Sequence, residues 1–274
     1  MLEYPETTML AKQFNQAVAG KRVHAVRPPT KPHKFCWFAG DPADYDAQLR
    51  GAAATSASGF GIFVEISFDN GLFLNFSDGV NARLLSSGEV PKDYQLLIEF
   101  TGDSVLAFTV AMYGGITLHD GSYDNPYYLK SKSSLSPLDP AYPDYFRTVF
   151  AASKANLSAK AFLATEQRFP GIGNGVLQDI LFNAKIHPKR KIGTLSSREQ
   201  ENLLVAVIDT LRQMTESGGR DTEKDLFGAP GGYRTKLSKN TLAFPCVQCG
   251  GQLTKEAYMG GAVYYCPTCQ PLEK

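Results

Sequence analysis

The sequence predicts an α+β multidomain chain: an N-terminal helix with a β-sandwich, then a helical domain ending in a small β-hairpin built around four cysteines. Three observations carry this. Period-two hydrophobic patterning runs from about 21 to 130, helical text follows from about 145, and two Cys-x-x-Cys pairs lie near the end of the sequence. At 274 residues and 43% hydrophobic content, the chain can build one large or two medium domains with proper cores. A net charge of +1 excludes a bulk polycation, so binding to a polyanion requires a local basic face. No apolar run approaches the ~20 residues that span a bilayer, and no basic region with an apolar core opens the sequence. The expected location is the cytoplasm, where five cysteines serve as thiols or metal ligands rather than disulfides.

Residues 5–19, PETTMLAKQFNQAVA, predict a short helix. Pro5 fits its first turn, where a missing N–H costs nothing, and Gly20 fits its end. In FGIFVEISF, Ile62, Val64, Ile66 and Phe68 fall on one face of a strand, with Phe63, Glu65 and Ser67 on the other. Asn70-Gly71 is a strong hairpin signal leading into LFLNF. YQLLIEF and VLAFTVAM form another pair around Thr101–Ser104. Short strands with Gly and Asp turns suit a sandwich or barrel. The stretch SPLDPAYPDY, with three prolines, marks 136–144 as a linker. It divides a domain over 1–135 from a helical domain over 145–240 and a terminal unit over 241–274. Helices are expected at about 145–155, 158–168, 174–185 and 196–217. Ser158 caps the second, and Ser196 or Ser197 with Glu199 forms a capping box on the last. Gly-rich SGGRDTEKDLFGAPGGYR (217–234) is expected to be a loop.

The strongest motif is Cys246-Val247-Gln248-Cys249 followed, after sixteen residues, by Cys266-Pro267-Thr268-Cys269. Two such knuckles bring four thiolates to one zinc ion, and QLTKEAYMGGAVYYC between them predicts two strands joined at Met259-Gly260-Gly261. Four thiolates leave no open coordination position, which favours a structural zinc over a catalytic one and over a redox dithiol pair. Cys36 stands alone and is expected to be a buried thiol. The second motif is FPGIGNGVLQDILFNAKIHPKRKIGTLS (169–196). Gly171 and Gly173 form a tight turn into a helix starting near Asn174. Its backbone N–H groups and positive helix end suit a phosphate, with Asn174 as a side-chain donor. Gly-x-Gly-Asn also caps ordinary helices. Lys185, His187, Lys189, Arg190 and Lys191 follow on the exit turn, and such a run is more often a solvated face.

Taken together, these residues resemble the Fpg/Nei family of DNA glycosylases, which comprises formamidopyrimidine-DNA glycosylase and endonuclease VIII. The likeness spans about residues 1–270, highly specific over 160–196 and 246–270 and loose over 21–140. It implies a helix–two-turn–helix unit, a zinc finger, and a monomer that clamps damaged double-stranded DNA and flips a base out of the stack. It also implies a terminal amine that attacks C1′ of the sugar to give a Schiff base, with strand cleavage by β,δ-elimination. An α-amine, with a pKa near 8, is partly neutral at pH 7. Met1, Leu2 and Glu3 are the candidate catalytic residues, with the Glu3 carboxylate moving protons. Lys160, Gly173, Asn174 and Lys224 are the candidate DNA-binding residues, and Cys246, Cys249, Cys266 and Cys269 hold zinc.

The departures bear directly on the chemistry. The family's terminal proline is replaced by Leu2, whose bulk predicts that Met1 is retained. The catalytic sandwich lysine falls on Phe60 and the finger arginine on Gly261. The loops FSDGVN and VAMYGG lack an obvious wedge to fill the gap left by a flipped base; Met112 and Tyr113 are the nearest substitutes. Glu6 is read as a carboxylate favoured by the helix dipole. The sequence thus predicts a damaged-DNA-binding repair protein with glycosylase activity on an altered nucleophile. The alternatives are a catalytically silent binder of distorted DNA and a scaffold reused for RNA or a protein partner.

Overall fold

A computed structural model describes residues 1–272; Glu273 and Lys274, the last two of the unit expected over 241–274, lie outside the described residues. The chain opens with α1 (Tyr4–Ala17), with Pro5 in its first turn. Met9, Leu10 and Phe14 form its buried stripe. Then come β1 (Val23–Arg27), β2 (Cys36–Trp37), α2 (Tyr45–Leu49), β3 (Ala54–Phe60), β4 (Phe63–Phe68), β5 (Phe73–Ser77) and β6 (Val80–Ser86). β7 (Leu96–Phe100), β8 (Ser104–Val110), β9 (Gly114–His119) and α3 (Pro126–Ser133) complete this half. The strands form two sheets, ordered β1-β7-β8-β6 and β2-β9-β5-β4-β3. Their facing sides enclose Val64, Ile66, Phe76, Leu96, Leu106 and Phe108.

Two features differ from the patterning. β4 is buried on both faces, because the side carrying Phe63 and Glu65 lies under Tyr128 of α3. α3 itself falls in text expected to run to about 130 as strands. Asn125 explains it: its side-chain oxygen accepts the N–H groups of Tyr127 and Tyr128, and Pro126 follows at the first helical position.

The second half contains α4 (Tyr142–Ala152), α5 (Ala159–Ala164), α6 (Val176–Asn183) and α7 (Ser197–Glu216), then the hairpin β10 (Thr254–Tyr258) and β11 (Gly261–Tyr265). α4 starts inside the proline-rich stretch, since Pro143 in its first turn needs no N–H partner. Ser158 accepts the Ala161 N–H, and Ser196 and Glu199 form a full capping box. Phe146, Phe162 and Phe169 stack within a second core that includes Ile180, Leu203 and Leu211. The loop at 217–234 reaches back to the sandwich, where Leu226 is fully buried in the first core. α1 serves both cores: Leu10 and Phe14 face the sandwich, whereas Tyr4 joins the helical core.

Candidate active site and metal centre

The first residues of α1 meet the start of α6. The Glu3 carboxylate accepts the backbone N–H groups of Gly175 at 2.8 Å and Val176 at 2.7 Å, which are donors that a helix start leaves without intrahelical partners. A remote carboxylate therefore occupies the helix end that the sequence offered to a phosphate. The glycines of the turn make room for it. A Cβ on Gly173 would lie 2.6 Å from a Glu3 oxygen, and one on Gly175 would overlap the Arg220 guanidinium.

Arg220 is the buried cation of this cluster. It donates from Nε to Glu6 Oε1 at 3.0 Å and from Nη2 to Glu6 Oε2 at 2.7 Å, and its Nη1 lies 3.5 Å from Glu3. Burial opposes its charge, but Glu3 and Glu6 overcome that and hold the guanidinium protonated. Glu6 is thus one half of a buried ion pair, not simply a dipole-stabilising carboxylate, because an Arg side chain from the 217–234 loop reaches it. Burial pushes the Glu3 carboxyl above the usual range, against the pull of Arg220 and with a contribution from Glu6. Such a displaced carboxyl in a polar cluster is a candidate proton-transfer group.

The Met1 amine sits 2.9 Å from Glu223 Oε2, and the Met1 carbonyl accepts from Arg220 Nη2 at 3.3 Å. Leu2 is buried, and its N–H donates to the Asp78 carbonyl at 2.7 Å. Met1, Leu2, Glu3 and Gly173 are therefore neighbours. Sequence reasoning did not single out Arg220 or Glu223, although both lie in the Gly-rich loop. The signal available was a need: two acidic residues at the start of a packed helix require a cation from elsewhere.

Lys160 and Asn174 come together at a second point, against the terminal hairpin. Lys160 donates to the Tyr258 carbonyl at 2.6 Å, and burial lowers its pKa. A Cβ on Gly261 would stand 2.2 Å from Asn174 Nδ2, so Asn174 fills the space where a side chain at that hairpin position would begin. Asn174 is exposed. Lys224 is exposed on its loop, bridged to Pro230. Phe60 lies over Phe63 and edge-on to Tyr128. The lysine near it is Lys132 of α3, which donates to Glu65 at 2.9 Å and to Tyr128 at 2.8 Å. Part of the basic run after α6 is also committed internally: Lys189 pairs with Glu256, Arg190 with Glu199, and the His187 ring packs on Tyr265.

Cys246, Cys249, Cys266 and Cys269 bring their sulfur atoms within 4.8 Å of one another, with separations of 3.8 Å (Cys246–Cys269) and 3.5 Å (Cys249–Cys266). Tetrahedral thiolates at ~2.3 Å from zinc stand about 3.8 Å apart, so the four sulfurs fit one such ion. N–H groups of Gln248 and Gly251 point at Cys246 and Cys249 sulfurs, as expected for knuckles that orient thiolates.

The fold and cluster define a class: a two-core α+β architecture shared with solved DNA-glycosylase structures. The Lactococcus lactis Fpg solved in complex with DNA containing an abasic site matches with a TM-score of 0.81 at 20% identity, covering 98% of this chain and 99% of that one. The MutM (Fpg) protein of Thermus thermophilus matches with a TM-score of 0.81 at 22% identity, covering 99% and 100%. In sequence, the formamidopyrimidine-DNA glycosylase of Methylococcus capsulatus is 28% identical over 276 residues, 98% of this chain and 100% of the relative. That of Mycobacterium ulcerans is 27% identical over 291 residues, 99% of each. No family model matches. Over nearly its whole length the chain is thus similar to formamidopyrimidine-DNA glycosylases of the Fpg/Nei family, in sequence and in fold.

Proposed function

We propose that this protein is a DNA-repair glycosylase that binds damaged duplex DNA and works with an altered terminal nucleophile. The observation that carries the reading is Glu3: a buried carboxyl with a displaced pKa, next to the chain's own amine, where the two cores meet. In this reading the Met1 amine gives a proton to Glu223 and attacks C1′ of the damaged nucleotide, the C1′–N glycosidic bond breaks and the base leaves, and Glu3 handles protons at the sugar. Lys160 and Asn174 form the phosphate-facing side and Lys224 the loop contact, while Gly173 makes room for the Glu3 carboxylate. The four cysteines hold a structural zinc that fixes the hairpin against Lys160 and Asn174. The protein acts as a cytoplasmic monomer; no helix among the described residues is long and apolar enough to cross a membrane.

One observation favours a second reading, a binder without chemistry. The Met1 amine is ion-paired with Glu223, and both Glu3 oxygens are occupied by N–H groups at the start of α6, so neither group is left open to a substrate. Borohydride trapping on duplexes with an abasic site or a formamidopyrimidine lesion separates the two. A covalent adduct lost on blocking the terminal amine establishes amine chemistry. Base release without an adduct establishes Glu3 activating water. Tight, lesion-dependent binding with neither leaves the silent binder, and no affinity at low salt removes both.

A further inference from the structure

Two asparagines in this chain are followed by glycine, Asn70 and Asn174. That dipeptide cyclises readily, because glycine has no Cβ to shield its amide nitrogen from the carboxamide before it. The fold treats the two pairs in opposite ways. The Asn70 carboxamide is tied at both ends: its Nδ2 donates to the Gln48 carbonyl at 2.9 Å, and its Oδ1 accepts the Leu72 N–H at 3.2 Å. The Gly71 N–H donates to the Phe68 carbonyl, a poor base. Asn174 is exposed, and its carboxamide makes no hydrogen bond among the described residues; only its backbone carbonyl is engaged, by Gln178. Gly175 caps α6, so Asn174 lies outside the helical ladder. The Gly175 N–H points at a carboxylate, Glu3 Oε1, at 2.8 Å. Burial raises the Glu3 carboxyl, which makes its anion a stronger base than an ordinary carboxylate. The packing also demands glycine here, since a Cβ on Gly175 would overlap the Arg220 guanidinium.

An untethered carboxamide, the amide nitrogen that can attack it and a proton acceptor thus meet at one peptide bond. We propose that Asn174–Gly175 is a self-modification site, at which Asn174 is converted to aspartate and isoaspartate with Glu3 as the base. The Gly175 nitrogen bonds to Asn174 Cγ as its proton passes to Glu3. The Cγ–Nδ2 bond then breaks, and Glu3 returns the proton to the departing ammonia, which leaves a five-membered succinimide. Water opens that ring at either carbonyl. One water enters and one ammonia leaves, with no change of oxidation state. The product carries a carboxylate where a neutral amide stood. A Cβ on Gly261 would collide with Asn174 Nδ2 and stand 3.6 Å from Lys160 Nζ, so the new anion arises beside the Lys160 ammonium. It competes there for the cation and repels a phosphate. This consequence for DNA rests on the proposed function, whereas the modification itself does not.

The experiment ages the full-length protein near neutral pH, with and without urea. Both Asn-Gly peptides are followed by mass spectrometry, and isoaspartate by enzymatic methylation. In the folded protein Asn174 is expected to convert at least about tenfold faster than Asn70, since general-base assistance contributes ~10²–10⁴-fold. In urea, where the contact with Glu3 is gone, the two rates should converge. Folded Asn174 converting no faster than Asn70, or a preference for Asn174 that persists in urea, overturns the proposal. Glu3→Gln should slow Asn174 by at least about tenfold and leave Asn70 unchanged; an unchanged Asn174 rate in a variant that melts as a folded protein overturns the role of Glu3. The comparison of folded with unfolded parent needs no variant, so it decides even if Glu3→Gln fails to fold. The modified protein, separated by ion exchange, should bind any duplex about tenfold more weakly than fresh protein. Complete modification with unchanged affinity overturns the link to DNA and leaves the modification standing. No binding by the fresh protein removes the proposed function alone.

Discussion

At the scale of single residues, Arg220 is the group on which the terminal cluster depends. It is the buried cation facing two buried carboxylates, and it also holds the Met1 carbonyl. Replacing it with Ala strands Glu3 and Glu6, and removing one partner of a buried pair costs about 3–5 kcal/mol. Urea unfolding of Arg220→Ala should show a loss of that size, and a cost below ~1 kcal/mol would contradict this assignment. Glu65 supplies a second prediction. Burial opposes its ionisation, but hydrogen bonds from His119, Tyr128 and Lys132 prevail and hold its pKa at about 2. A carboxyl depressed on folding contributes stability above its unfolded pKa of roughly 4.3 and loses it as pH falls toward 2. The urea midpoint should therefore decline across that window, and Glu65→Gln should flatten the decline. The cysteines and Glu3 were legible because spacing, or position in the chain, marks them. Arg220 was not, because the chain that carries it closes on Glu6 only in three dimensions, 214 residues away.

At the scale of elements, close approaches and caps explain both what the sequence announced and what it hid. α1 lies so near β3 that a Cβ on Gly59 would sit 2.2 Å from the Thr7 carbonyl. Gly59→Val should destabilise the protein by at least ~1–3 kcal/mol, the usual cost of forcing extra atoms into a packed contact; a thermal unfolding temperature equal to the parent's would show that α1 can lift away freely. The terminal hairpin has a small core, chiefly Phe182, Leu237, Leu253 and the buried cysteines. Metal and folding should be coupled there. A chelator is expected to expose four additional reactive thiols in a single cooperative step, as counted by thiol titration; unchanged thiol reactivity after proven metal removal would refute the coupling. The starts of α5 and α7 were legible because Ser158, Ser196 and Glu199 state them in the sequence. β1, β2, β6 and β9 were not singled out, because partners brought close only by the sheet topology complete their patterns.

At the scale of the whole molecule, the two cores are joined by shared elements rather than by surface contact alone. α1 gives side chains to both, and Leu226 reaches from the later half of the chain into the sandwich. The general architecture was legible because period two gives way to helical text near the prolines at 137–143. The interlock was not, because a Gly-rich polar loop gives no sign that one leucine in it is fully buried. Net charge also matters at this scale. With +1 overall, affinity for DNA must come from a local set of cations, and Lys160 and Lys224 are the two proposed above. Even two phosphate contacts make affinity fall about tenfold between 50 and 200 mM salt, so any duplex should show at least that loss. A salt-independent affinity would place the binding energy elsewhere.

The carboxylate that closes the start of α6 is delivered from the segment that precedes α1, 172 and 173 residues from the amides it receives. During synthesis Glu3 leaves the ribosome early, and its partners follow roughly ten to thirty seconds later at ~5–20 residues per second. Arg220, which neutralises Glu6, arrives later still. The first helix of this protein therefore spends most of translation with its acidic end unmatched and reaches its native surroundings only after the loop beyond α7 has been made.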